Sequence, residues 1–77
     1  MVEVYTSNGC GPCHMTKAWL SGKGISFTEF NISEDMNAVA RLRELRYSAT
    51  PVVHIGNEFI VGYSPQKFEA ACNTYGL

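Results

Sequence analysis

Residues 2–13 read Val2-Glu3-Val4-Tyr5-Thr6-Ser7-Asn8-Gly9-Cys10-Gly11-Pro12-Cys13, and the fold is worked out from this stretch in both senses of structure and chemistry. Val2 to Thr6 is short, β-branched and aromatic, and it runs into the turn cluster Ser7-Asn8-Gly9, so it predicts a strand followed by a loop. Beyond Cys13, Met15, Ala18 and Trp19 recur at helical spacing with His14, Thr16 and Lys17 between them. That pattern predicts an amphipathic helix, stopped at Ser21-Gly22-Lys23-Gly24. Ile25 to Ile32 then alternates apolar and polar through Phe27, Glu29 and Phe30, the period of a second strand. A strand, a helix and a strand in succession imply a parallel pair with a crossover helix.

Further along, Ser33 offers an N-cap, with Glu34 and Asp35 in the first turn where they complement the helix dipole. Ala38, Val39, Leu42 and Leu45 form the apolar stripe of this second helix, and Arg41, Arg43 and Arg46 load its later turns. Val52 to Ile55 and Glu58 to Val61 are short strands separated by Gly56-Asn57, a two-residue hairpin in which Gly supplies the positive φ of a type II′ turn. Ser64-Pro65 reads as N-cap and first helical residue, and Phe68, Ala71, Cys72 and Tyr75 line the last helix. The order is β-α-β-α-β-β-α: an α/β fold with a four-stranded mixed sheet and helices on both faces.

The chain has 77 residues, which is one small domain spanning 1–77. A hydrophobic share of 45% against 17% charged is globular rather than disordered composition. Six Lys and Arg against seven Asp and Glu give a net charge of −1, so no basic excess exists to drive binding to nucleic acid or to an acidic membrane. No apolar run approaches the ~20 residues of a membrane helix, and the first residues lack the charged and apolar regions of a signal peptide. A cytoplasmic monomer is the expectation. Three cysteines are too few for a secreted disulfide scaffold.

Three readings compete for Cys10 and Cys13. Zinc normally needs four ligands, and the remaining donors, Cys72, His14 and His54, stand at no zinc-module spacing. A structural disulfide closing so short a loop is worth only ~2 kcal/mol, against ~4 for a bridge from Cys10 to Cys72. The third reading, a redox dithiol, is favoured by position. Cys10 falls at or near the N-cap of the first helix, where unpaired N–H groups and the dipole stabilise an anion. A thiol whose pKa drops from ~8.5 to ~7 raises its thiolate fraction at neutral pH from about 3% to about one half. Cys13 lies one turn further in on the same face, within reach of Cys10 and less exposed. Pro12 is tolerated in a first turn that needs no N–H from it, and Gly11 lets a partner backbone approach. Cys10 then attacks a substrate disulfide and Cys13 resolves the mixed disulfide, chemistry that needs neither metal nor organic cofactor.

With these residues in place the chain resembles the thioredoxin superfamily, at glutaredoxin size and over nearly its whole length. The matching landmarks are Tyr5-Thr6, Cys10-Gly11-Pro12-Cys13, Thr50-Pro51-Val52-Val53 and Gly62-Tyr63-Ser64-Pro65. The resemblance implies a thioredoxin-like fold with a cis proline at Pro51 facing the cysteines, and a Thr50 backbone that pairs with an extended substrate peptide. Tyr47, the Pro51-Val52-Val53 run and Gly62-Tyr63-Ser64-Pro65 are similar to NrdH-redoxins, whose sequences are glutaredoxin-like and whose activity is thioredoxin-like. That likeness implies electrons arriving from a flavoprotein thioredoxin reductase and leaving to a ribonucleotide reductase or another protein disulfide.

Departures from the related patterns bear on glutathione. Glutathione-using glutaredoxins carry a basic residue where Ser7 stands, and a second Gly where bulky Tyr63 follows Gly62. Glutathione is therefore disfavoured as reductant, although the arginines of the second helix offer one carboxylate contact. Thioredoxins carry a buried acid on the first strand and an aromatic residue before the first cysteine. Here Gly9 precedes Cys10, and Glu3 lies far from the motif, so no base is assigned to Cys13. The expected substrate-binding set is Gly11, Pro12, Thr50, Pro51, Gly62 and Tyr63. His14 reads as an exposed helix residue, His54 as a packed strand residue, and Cys72 as a small buried hydrophobe. Trp19 and Phe30 read as core, and the arginine trio as a solvated face.

Overall fold

Alternation along each strand decides which of two cores a residue joins. The computed structural model describes Met1–Leu77. Its elements are β1 (Val2–Thr6), α1 (Gly11–Gly22), β2 (Thr28–Asn31), α2 (Met36–Glu44), β3 (Val52–Ile55), β4 (Glu58–Val61) and α3 (Pro65–Thr74). The strands form one sheet in the order β2-β1-β3-β4, with β1 and β2 parallel and the other neighbours antiparallel. Val2 and Val4 of β1, Val53 and Ile55 of β3 and Ile60 of β4 share one face, where Leu20 of α1 and Phe68, Ala71 and Cys72 of α3 cover them. Tyr5 and Val52 take the opposite face under Leu42 of α2, with Phe30, Leu45, Tyr47 and Phe59 packed around them. Full burial of side chains such as Leu20, Ile55 and Phe68 contributes ~1.5–3 kcal/mol each.

The element order and the two-faced mixed sheet are those the sequence predicts. Three local readings change. The buried face of α1 is Cys13, Thr16 and Leu20, whereas Met15 is 52% exposed, Ala18 is exposed and Trp19 is half-buried against Phe68. A helical residue turns about 100° from the last, so Cys13 and Leu20 facing inward carry Thr16 in with them and turn Met15 outward. The second strand is shorter than Ile25–Ile32, because Ile25 closes α1 by donating its N–H to the Leu20 carbonyl at 2.9 Å. The N-cap of α2 is Asp35, whose Oδ1 accepts the Asn37 N–H at 2.9 Å, in place of Ser33. The Ser33 hydroxyl instead accepts the Asn8 N–H, also at 2.9 Å.

The hairpin forms as read from Gly56-Asn57, with Ile55 opposite Glu58 and Gly56 at φ +59°. The positive φ favours glycine there, and the Tyr75 ring packs where a Cβ would stand. Ser64 and Pro65 open α3 as expected, the Ser64 carbonyl accepting from Phe68 N–H while its side chain makes no capping bond. No helix of the chain is long and apolar enough to cross a membrane.

Candidate active site

Strand direction gathers three loops at one edge of the sheet. β1 ends there, β3 begins there with Val52 opposite Tyr5, and β4 ends there with Val61 opposite Val52. The segments 7–10, 47–51 and 62–64 therefore meet, and the Gly62 N–H donates to the Pro51 carbonyl at 2.8 Å. The Thr50–Pro51 peptide bond is cis and Pro51 is buried.

Cys10 is the N-cap of α1, in extended conformation at φ −100° and ψ 103°. Its Sγ accepts the Cys13 N–H at 3.1 Å, the bond that a serine or aspartate oxygen makes at other helix starts. Gly11 and Pro12 follow on the exposed rim. Cys10 and Cys13 are joined as a disulfide with Cα atoms 5.2 Å apart. The two sulfurs differ in access: Cys10 is half-buried, and Cys13 is 2% exposed. The outer sulfur accepts a helix N–H, and the inner one is enclosed by the chain.

Thr50 reaches this sulfur from the facing loop, its Oγ1 lying 3.9 Å from Cys10 Sγ. The Thr50 backbone N–H and C=O have no partner within the chain, so an extended segment laid beside it finds a free donor and acceptor. Tyr63 is half-buried, its ring edge-on to Phe68 at 6.1 Å, so part of that side chain serves the core. His14 is exposed, as expected of it.

Two polar clusters brace the surroundings. The Thr6 hydroxyl donates to Glu29 Oε2 at 2.7 Å and Lys17 Nζ approaches the same oxygen at 3.1 Å. The Thr6 hydrogen bond first, and Lys17 after it, hold the Glu29 carboxyl below its usual 4.5 despite partial desolvation. On the other face, Glu3 accepts from His54 Nδ1 at 3.2 Å and pairs with Arg41 at 3.4 Å. His54 is a packed histidine, stacked on Phe59 at 4.1 Å. Arg41 is exposed, as the solvated face read for it has it, and also makes contacts of its own: its Nε donates to the Tyr5 hydroxyl at 3.3 Å and its guanidinium lies 4.8 Å from the Phe30 ring. Phe30, half-buried between Arg41 and Tyr5, is a lid to the core.

Cys72 is free and 5% exposed, and burial first, then the Glu69 carboxylate, pushes its thiol up, leaving it a poor nucleophile. No group of three or more His, Cys, Asp or Glu residues is arranged to hold a metal ion.

Some contacts of the site had no reading in the sequence. The Ser7 hydroxyl lies 2.6 Å from Thr50 Oγ1, and the Asn8 side chain accepts from Asn31 Nδ2 at 3.0 Å. With Ser33, these residues tie the loop before Cys10 to the turn after β2. Small polar residues in turns carry no mark of their long-range partner, so only topology brings this set to light.

The glutaredoxin family model matches residues 2–60, from β1 through the hairpin and across the dithiol. The glutaredoxin-like protein NrdH of Lactococcus lactis subsp. cremoris is 37% identical over 67 residues, covering 87% of this chain and 93% of that protein. Among solved structures, the thioredoxin-like protein BC3987 aligns with a TM-score of 0.86 at 30% identity, over 92% of this chain and 99% of that one. The NrdH-redoxin of Escherichia coli, described as having a thioredoxin-like activity profile, aligns with a TM-score of 0.81 at 29% identity, over 90% and 91%. A paired-cysteine helix start, the sheet that presents it and a family match through both lead to one assignment: the chain belongs to the glutaredoxin family and is an NrdH-redoxin-like thiol–disulfide oxidoreductase.

Proposed function

We propose that the chain reduces protein disulfides, with Cys10 as nucleophile and Cys13 as resolving thiol, and is recharged by a flavoprotein thioredoxin reductase. The observation that carries this reading is the Cys13 N–H aimed at Cys10 Sγ at the N-terminus of α1, with the second sulfur buried behind it. In the reduced protein the Cys10 thiolate attacks one sulfur of a substrate disulfide. A Cys10–substrate bond forms, and the other substrate sulfur leaves as a thiolate and takes up a proton. The Cys13 thiol then gives up its proton and attacks Cys10 Sγ, the second substrate sulfur departs, and the Cys10–Cys13 disulfide remains. Two electrons have passed to the substrate, and the reductase returns them by the reverse exchange.

Selectivity for protein substrates rests on the free Thr50 backbone groups beside the cis Pro51 and on the exposed Gly11-Pro12 rim, with Gly62 and Tyr63 as the opposite wall. A strand-like substrate segment gains main-chain hydrogen bonds there without dependence on its side chains. The thioredoxin-like activity profile of the E. coli NrdH-redoxin supports this assignment, and a ribonucleotide reductase is the proposed physiological acceptor. Tyr63 stands where glutathione-using glutaredoxins carry a second Gly, a departure that disfavours glutathione as the main reductant.

The test is a coupled assay with NADPH, a bacterial thioredoxin reductase and insulin or an oxidised ribonucleotide reductase. The expected result is NADPH consumption that requires Cys10 and is abolished by Cys10→Ser. Fast turnover with glutathione as sole reductant, and none with the flavoprotein, would replace this reading by a glutathione-dependent one.

A further inference from the structure

We propose that Ser7 is a positioning residue for the dithiol, aiming the single Thr50 hydroxyl proton at Cys10 Sγ. This rests on the reading of Cys10 as nucleophile. Two observations carry it: Ser7 Oγ and Thr50 Oγ1 lie 2.6 Å apart, and Thr50 Oγ1 lies 3.9 Å from Cys10 Sγ. Both hydroxyls are half-buried.

Proton counting fixes the direction. A hydroxyl has one hydrogen to donate and two lone pairs to accept with. If Thr50 gives its proton to Ser7, nothing is left for the sulfur. The contact to Cys10 therefore requires Ser7 to be the donor, and the chain runs Ser7 to Thr50 to Cys10. In the disulfide the sulfur is a weak, neutral acceptor, and the alternative direction competes. Reduction and ionisation turn Cys10 Sγ into a charged acceptor, which holds the Thr50 proton more strongly and selects that one direction. Each donor in such a chain polarises the next, so Ser7 strengthens a bond that it does not itself make. The arrangement supplies the thiolate with a second donor, opposite the Cys13 N–H, from a loop distant in sequence. It does so with a neutral side chain, so no added positive charge at this position faces an incoming partner.

The experiment follows the pH dependence of Cys10 alkylation by iodoacetamide in the fully reduced chain, with the modified residue located by peptide mass. Thr50→Val, which removes the donor, is expected to move the ionisation midpoint of Cys10 upward by about 0.5 to 1 pH unit, the size of one neutral hydrogen bond, and Ser7→Ala, which removes only the polarisation of that bond, by about 0.1 to 0.3 unit. From a midpoint of ~7, alkylation at neutral pH then slows about 2- to 5-fold in Thr50→Val and by less than about 2-fold in Ser7→Ala, and it recovers in alkali, where the thiolate is complete in every variant. Ser7→Thr restores the original midpoint, as does retention of the hydroxyl in Thr50→Ser. Thr50→Val shifts the midpoint by itself, and adding Ser7→Ala to it produces no further shift.

An unmoved midpoint in Ser7→Ala, or an equal shift whether or not the Thr50 hydroxyl is present, would overturn the relay. Loss of coupled turnover in Cys10→Ser together with an unmoved Ser7→Ala midpoint overturns the relay alone. Absence of reductase-coupled turnover in the unaltered chain, with the Ser7→Ala shift present, overturns the proposed electron source and supports the relay.

Discussion

Cys10 does two jobs with one atom, ending the loop as the cap of α1 and presenting the sulfur that reacts. The sequence shows both, because Gly9 ends the turn cluster and the helix begins within the cysteine tetrad. It does not show what else approaches the sulfur. Thr50 is identifiable only through its family landmark, and Ser7 only through its contact with Thr50 across a gap of 43 residues. The burial difference between Cys10 and Cys13 leads to an asymmetric prediction at this scale. Cys13→Ser leaves the attacking sulfur in place and removes the resolving one, so a mixed disulfide between Cys10 and its substrate accumulates and turnover falls to background. Cys10→Ser forms no such adduct. Mass spectrometry of non-reduced mixtures separates the two, and an adduct on Cys13 in the Cys10→Ser protein would contradict the order of attack.

The helices of this chain all stop in the same way. After α1 the Gly24 and Ile25 N–H groups return to Ser21 and Leu20 carbonyls, and after α2 Arg46 and Tyr47 return to Arg43 and Leu42. At the end of α3 the Leu77 N–H returns to the Cys72 carbonyl. The left-handed residue is Gly24 at φ +71° in the first case and Gly76 at φ +72° in the last, but Arg46 at φ +65° in the second. A side chain in that region carries strain that glycine avoids. Arg46→Gly is thus expected to stabilise the chain by ~0.5–1 kcal/mol, the relief exceeding the added flexibility of the unfolded chain. A lower urea midpoint in the variant would contradict this. The glycine stop of α1 was read from the sequence and that of α3 was not, whereas nothing in Glu44-Leu45-Arg46-Tyr47 marks a helix end. The same limit explains the shifted start of α2: Ser33 and Asp35 are both good caps, and the partner that claims Ser33 is Asn8, which the sequence places far away.

Across the whole molecule, alternation and helical spacing were enough to read the chain order and a mixed sheet, whose strands β1, β3 and β4 place alternate residues in two separate cores, whereas the order of the strands within the sheet was not read. Which side of α1 turns inward depended on the sheet beneath it, and this is where spacing alone misplaced Met15. Glu29 joins three elements, accepting from Thr6 of β1 and pairing with Lys17 of α1 from its place in β2. Its carboxyl titrates lower folded than unfolded, so the unfolded chain binds that proton more readily as pH falls. The stabilisation is complete above the usual value of 4.5 and disappears as pH drops through the lower folded value. Glu29→Gln is accordingly expected to cost stability at neutral pH and progressively less as the pH falls through the lowered folded value, read from urea unfolding at each pH. An unchanged gap between the two proteins across that range would show that Glu29 acts through packing instead. The account as a whole turns on the charge state of the capping sulfur. Its most direct test is the ionisation midpoint of Cys10 in the reduced, unaltered chain, followed by the thiolate ultraviolet absorbance and assigned by its loss in Cys10→Ser. The expected result is a midpoint well below the ~8.5 of free cysteine, with Cys13 titrating higher. Two thiols that both titrate like free cysteine would contradict it.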